Sequence, residues 1–296
     1  MPPSTASLSP PLASSEEARD WAALPRDILS RVFLKLGPRE VMLGSEFACA
    51  AWCRAAIGEP ALWRRVGMDM EDNLCLPVVM DLCPDDGRRL CRNLPNGMDP
   101  AMKRAAMDRV ACQCEAFGGC WHEDDDLLDV VARAPSLKDL ELCIYYPQYE
   151  TIEVLIGALK KLPLLEDLKI EYFSDEENLL RSICQASPDL KTLVLLYASH
   201  LDVECNEDDF YGHEPVNGEL PMMCQLRFLE LSSCDLSCNG LRAILDNCPV
   251  LESLHITSYF RKRKMDKELQ LKCGRVKNLI LPPHSFSDDS DEEYMW

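Results

Sequence analysis

The sequence predicts an α/β fold: a small helical unit followed by a short right-handed solenoid of parallel strands. Three observations carry that expectation. The segment Leu24–Val66 sets large apolar residues between helix start and stop signals. The template L-x-x-L-x-L then recurs six times between residues 137 and 281. Between its copies lie stretches with apolar residues at helical spacing. Bulk properties agree, since 47% of the 296 residues are hydrophobic, enough for a sizeable core and too many for wholesale disorder.

Residues 1–20 are rich in Pro, Ser and Ala and are expected to be flexible. The helical unit follows at 21–66. Pro25 suits the first turn of a helix, where its missing N–H costs nothing. Asp27 favours the positive end of the helix dipole. Ile28, Leu29, Val32, Phe33 and Leu36 form one apolar stripe at helical spacing, and Gly37-Pro38 ends that helix. A second helical stretch is read from Arg39 to Ile57, with Val41, Leu43, Phe47, Cys49 and Trp52 as apolar members and Gly44 as a point of weakness. Gly58-Glu59-Pro60 turns the chain, and Leu62-Trp63 adds an anchor. A unit this small buries too little surface to be comfortable alone, so a shared partner surface competes with the plainer reading of a three-helix core.

Residues 67–105 carry Pro77, Pro84, Pro95 and Pro100 and read as a connector with short helical pieces. The repeats occupy 106–283. In x-L-x-L both leucines face one side of a short strand, because the strand period is two. The copies predict a repeat core of Leu140, Leu142, Leu168, Ile170, Leu193, Leu195, Leu229, Leu231, Leu254, Ile256, Leu279 and Leu281. Their middle residues are separated by 28, 25, 36, 25 and 25 positions. Four of these intervals match a stacking repeat of roughly 20–29 residues, in which each leucine face is buried by the next copy. A degenerate first copy is expected near Val110, Cys112 and Cys114, with Cys112 placed 28 residues before Leu140. Helices are expected at Ile152–Leu162, Asn178–Ala186 and Gly240–Asn247.

The long interval holds an acidic insertion near 200–220, with Phe210 and Tyr211 among seven acidic residues from Asp202 to Glu219. Such insertions emerge on one face of a solenoid, so a contact with a basic partner competes here with a plain surface loop. Arg261-Lys262-Arg263-Lys264 reads as an import signal or a solvated helix start. Residues 284–296 form an acidic tail, in which Ser285 and Ser290 each precede an acidic residue by three positions.

Charge and cysteine usage bound the partners. With 31 Lys+Arg against 50 Asp+Glu the net charge is -19, which argues against nucleic-acid and anionic-membrane partners. The first residues show neither a charged n-region nor an apolar run, and no 18-residue apolar stretch occurs. An intracellular chain is expected, in the nucleus and/or cytoplasm, with most of its 16 Cys acting as reduced, small apolar core residues.

Leu24-Pro25, Asp27-Ile28-Leu29, Val32-Phe33, Leu36, Cys49…Trp52 and Pro60…Leu62-Trp63 stand in the order and spacing of the F-box, which residues 21–66 closely resemble. Behind it, Cys234 lies three residues after Leu231 and Cys248-Pro249 precedes Leu251. Over residues 21–284 the chain is similar to the plant F-box/LRR-repeat proteins, whose leucine-rich repeats contain such cysteines. The resemblance implies a Skp-type adaptor as partner, and through it the cullin and RING subunits of an SCF-type E3 ubiquitin ligase. It implies a non-catalytic subunit that holds an unknown protein substrate on its repeats. Adaptor binding then falls to Leu24, Pro25, Ile28, Leu29, Val32, Phe33, Leu36, Trp52 and Trp63. Some of these must build the unit's own core, and the sequence does not separate the two roles. The family's basic residue after the cysteine is Ala50 here.

Other chemistries find no support. Cys112, Cys114, Cys120 and His122 offer zinc-type ligands, but the spacing lacks a C-x2-C knuckle, so no metal and no cofactor is predicted. Phosphate-binding, dinucleotide-binding, metalloprotease and hydrolase motifs are missing, and the five His are scattered. Two alternatives remain: a ligase-independent interaction scaffold, and an enzyme with an unrecognised site on the solenoid.

Overall fold

The computed structural model describes residues 20–67, 100–110, 113–121, 130–144, 149–172, 178–197, 214–216, 218–232, 234–257, 259–260 and 265–282. The insertion's Phe210 and Tyr211, the basic run 261–264, the acidic tail with Ser285 and Ser290, Cys112 and His122 lie outside the described residues.

Helix α1 runs Arg26–Leu43 and is kinked at Gly37, whose φ of 80° is open to glycine at little cost. The expected stop at Gly37-Pro38 is therefore a bend, after which one further helical segment follows. Pro25 stands at the cap rather than in the first turn, and its carbonyl accepts from the N–H groups of Ile28 and Leu29, both at 3.1 Å. The second stretch breaks at Gly44. A 3-10 turn covers Ser45–Phe47, and α2 covers Ala50–Ile57. A last 3-10 turn, Pro60–Trp63, leads into strand β1, Arg65–Val66.

An eight-stranded parallel sheet forms the rest of the frame. Its strands are β1, β2 (Ala116–Trp121), β3 (Asp139–Ile144), β4 (Asp167–Tyr172), β5 (Thr192–Tyr197), β6 (Phe228–Ser232), β8 (Ser253–Ile256) and β10 (Asn278–Ile280), in that order across the sheet. A separate two-stranded ribbon pairs β7 (Asp235–Leu236) with β9 (Tyr259–Phe260). Helices connect the strands: α3 (Pro100–Arg109), a helical stretch at 130–133, α4 (Tyr149–Leu159), α5 (Leu179–Ala186), α6 (Cys238–Asn247) and α7 (Lys267–Cys273). Parallel neighbours need such crossovers, because a tight hairpin reverses the chain.

Register turns the sequence template into rows. Val66, Phe117, Leu140, Leu168, Leu193, Leu229, Leu254 and Leu279 stand side by side across the sheet. Leu142, Ile170, Leu195, Leu231 and Ile256 form the next row. All of these are buried except Leu279, which with Leu281 is partly buried against the core at the last strand. Three residues ahead of the first row lie Trp63, Cys114, Leu137, Leu165, Leu190, Leu226, Leu251 and Val276, also buried.

The degenerate copy departs from expectation. Phe117, not Cys112, pairs with Leu140, so the interval is 23 residues and Cys114 fills a first-leucine position. Gly119 takes a leucine place in β2, where an added Cβ would approach Lys103 Nζ to 2.9 Å. The template also reaches back further than the sequence suggested. Val66 in β1 and Trp63 in the turn before it occupy leucine positions, so the sheet begins inside the helical unit and one continuous core spans both.

The 36-residue interval has a physical account on its return side. No helix is described between β5 and β6. Glu214 instead reaches α6, accepting the Ser237 N–H at 2.7 Å and the Val216 N–H at 3.3 Å. Val216, Leu220 and Met223 are buried beside it, and the Met223 N–H donates to the Asn247 carbonyl.

Candidate docking surface

Helix α1 sorts the predicted apolar stripe onto two faces. Leu29 and Phe33 point inward and are buried. Phe33 meets Trp52 edge-on, with ring centroids 5.9 Å apart. Ile28, Val32 and Leu36, spaced by four, are exposed at 40%, 36% and 41%. Pro25 is also exposed, while Leu24 and Trp52 are half-buried against the core. Trp63 is fully buried, and its indole N–H donates to the Ala56 carbonyl at 3.0 Å. Of the nine residues assigned to adaptor binding, Leu29, Phe33 and Trp63 thus belong to the chain's own core.

The small unit is tied together by polar contacts at its edges. The Trp52 indole donates to the Trp21 carbonyl at 2.8 Å. Arg26 donates to the Gly58 carbonyl, and the Ser30 hydroxyl to Glu59, each at 2.5 Å. The first bond ties α2 to the turn before α1 and the other two fix α1 against the turn after α2, so the outer stripe is presented on a braced helix. Further large apolar residues of the same unit, Trp21, Leu34, Leu43, Phe47 and Ile57, are also exposed. Leu43 ends α1 and Phe47 lies in the turn after it, and both face out, which a single helix from Arg39 to Ile57 does not indicate. Residues 20–67 hold seven Lys+Arg and five Asp+Glu, a net +2 in a chain of -19.

One charged contact has no signature in local spacing. Glu46 is buried and receives a two-pronged bond from Arg109, at 2.7 and 3.3 Å. The Arg109 guanidinium also lies 4.7 Å over the Trp63 ring. Sixty-three residues separate the partners in sequence, so no local pattern could pair them.

On the sheet, the face opposite the leucines presents two rows. Asp139, Asp167, Thr192, Phe228, Ser253 and Asn278 form one, and Glu141, Lys169, Val194, Glu230, His255 and Ile280 the other. Its early strands are acidic, with Glu141 buried and paired to Lys169. Burial holds the Asp139 carboxyl above the ordinary aspartate range, opposed by Arg65 and reinforced by Asp167. Its later strands are less charged, and Phe228 meets His255 edge-on at 5.0 Å.

The cysteines behave as apolar groups where they are buried. Burial pushes the Cys114 thiol up to about 11 and that of Cys248 up to about 12, and it raises Cys184 as well. Thiols so protonated are poor nucleophiles and poor metal ligands. Among the described residues, no three His, Cys, Asp or Glu side chains group as a metal site, and no helix is long and apolar enough to cross a membrane.

Comparison with known proteins adds a family relation. The chain is 31% identical to putative F-box/LRR-repeat protein 22 of Arabidopsis thaliana, over 96% of this chain and 86% of that protein. It is 30% identical to F-box protein SKIP19 of the same plant, over 96% and 84%. Putative F-box/LRR-repeat protein 23 matches at 30% over 96% of this chain, which spans 57% of that longer protein. No protein-family model matches the chain.

Proposed function

The chain belongs to the plant F-box/LRR-repeat family, and from that premise we propose that it is the substrate-recognition subunit of an SCF-type E3 ubiquitin ligase. Its F-box docks a Skp-type adaptor and so joins cullin and RING subunits. Its repeats hold a target protein. Catalysis belongs to the other subunits, and this chain contributes proximity, which raises the effective concentration of target at the transferring enzyme.

The observation that carries the proposal is the split of the α1 stripe. The helix closes its own core with Leu29 and Phe33 and still leaves Pro25, Ile28, Val32 and Leu36 outside. Large apolar groups left out of a braced small unit mark a partner surface. Leu24 and Trp52 border that surface. On the repeats, the sheet face bearing Val194, Phe228, His255 and Ile280 is the proposed target surface. The described part of the acidic insertion, at Glu214, serves α6 instead.

The test is capture of a purified Skp-type adaptor by the full chain. Ile28→Asp with Val32→Asp is expected to abolish capture while leaving the circular dichroism melt unchanged. Capture at wild-type level by that folded variant defeats the proposed dock. Failure of the wild type to bring down adaptor and cullin defeats the ligase assignment.

A further inference from the structure

Glu46 and Phe47 are neighbours in the Ser45–Phe47 turn, and they are placed against the usual preference. The carboxylate is buried, while the phenyl ring is 75% exposed. Charged carboxylates rarely lie fully inside without a partner, and a large aromatic ring ordinarily gains from burial. The turn therefore stands in this orientation because something holds the carboxylate in. That group is Arg109 of α3, which lies beyond the F-box segment. Its fork grips both Glu46 oxygens, and its plane rests on Trp63, which is itself locked by its bond to Ala56. A bidentate guanidinium–carboxylate pair fixes direction as well as charge. Removing one partner leaves a buried charge unmatched, and the carboxylate then gains by turning outward. Because adjacent residues in a tight turn move together, Phe47 would leave its outward position with it.

From this geometry we propose that Phe47 is an anchor for the Skp-type adaptor and that Arg109 and Glu46 are its positioning residues. The inference rests on the function proposed above and extends its site. The occupant follows from location: the turn links α1 to α2 and packs on both, so its outward side belongs to the helical unit that carries the Ile28, Val32 and Leu36 stripe. Exposed aromatic rings held rigidly before binding are the residues that dominate interface energies. The docking module then extends from the F-box into α3, and the first repeat takes part in shaping the surface it presents.

The experiment measures the dissociation constant of a purified Skp-type adaptor for the full chain and its variants. Phe47→Ala removes an exposed ring, so the variant folds, and it is expected to bind at least about tenfold more weakly. Arg109→Met is expected to weaken binding in the wild-type and Ile28→Ala backgrounds and to add nothing in the Phe47→Ala background. General damage to the fold would weaken all three alike, and that result overturns the positioning role. The charge exchange Glu46→Arg with Arg109→Glu restores the pair and is expected to recover binding. If the wild type binds the adaptor and Phe47→Ala binds equally well, the anchor is refuted while the ligase assignment stands. If the wild type does not bind, both fall.

Discussion

At the scale of single residues, exposure separates fold from contact on one helix. Leu29 and Phe33 alternate with Ile28 and Val32, all are apolar, and their spacing follows the helical turn. Truncating Leu29 or Phe33 to Ala empties a closed core and is expected to cost about 3 kcal/mol, measured as a loss in urea unfolding free energy. Ile28→Ala is expected to stay within roughly 0.5 kcal/mol in the same assay, as exposed substitutions do. Gly67 gives a second residue-scale case. Its φ is 67°, and an added Cβ would stand 2.3 Å from the Gly118 carbonyl oxygen. Gly67→Ala is therefore expected to lower the melting temperature through β1 and β2. Asp139 has the opposite character. Burial raises its pKa, so its ionised form penalises the fold above that pKa, and the penalty vanishes below the ordinary value. Asp139→Asn is expected to raise the melting temperature near neutral pH and to leave it unchanged at strongly acid pH.

At the scale of elements, the strands are held in register by a row that the leucine template does not include. The residue before each strand pair accepts from its neighbour: Arg64, Glu115, Lys138, Glu166, Lys191, Arg227 and Glu252 lend carbonyls to the next strand. Their side chains, with Lys277, nearly alternate in sign. Glu166 pairs with Lys191 at 2.7 Å, and Glu252 with Arg227 and Lys277 at 3.0 and 2.9 Å. The Lys191 hydrogen bond holds Glu166 below the ordinary glutamate range, and Lys277 does the same for Glu252. Asp266 is lowered by the Leu269 N–H that it caps at the start of α7. Depressed carboxylates stabilise the fold above their unfolded pKa and lose that contribution as pH falls through their folded values. Stability is thus expected to fall below about pH 4.5, more gently for Glu166→Gln with Glu252→Gln, as read from melting temperature against pH. These groups are open to solvent, so salt is expected to weaken the effect.

At the scale of the whole molecule, the F-box and the repeats share one sheet and one core. β1 covers the edge of β2, and Trp63 and Val66 close the first leucine positions. Removing residues 1–67 is expected to strip the solenoid's first strand, bare Cys114 and Phe117, and lower the melting temperature with self-association by light scattering. Terminal units of a solenoid protect it in this way. Loss-of-docking controls are therefore better made with exposed point substitutions than with F-box deletion.

Much of this was legible in the chain itself. Six leucine copies follow from a two-residue period, and the F-box from a run of apolar residues and turn signals that local spacing determines. The family and the α/β architecture come from the same patterns. Tertiary structure decided what depends on distant partners. Local spacing alone could not say which half of the α1 stripe is buried, because both halves are apolar and only packing against Trp52 and α2 distinguishes them. It hid Phe117 as a leucine equivalent, since one aromatic beside two glycines does not resemble the template until it pairs with Leu140. It also hid the grip of Arg109 on Glu46, because a contact across 63 residues leaves no periodic trace and arises only when β1 joins the sheet and brings α3 against the F-box.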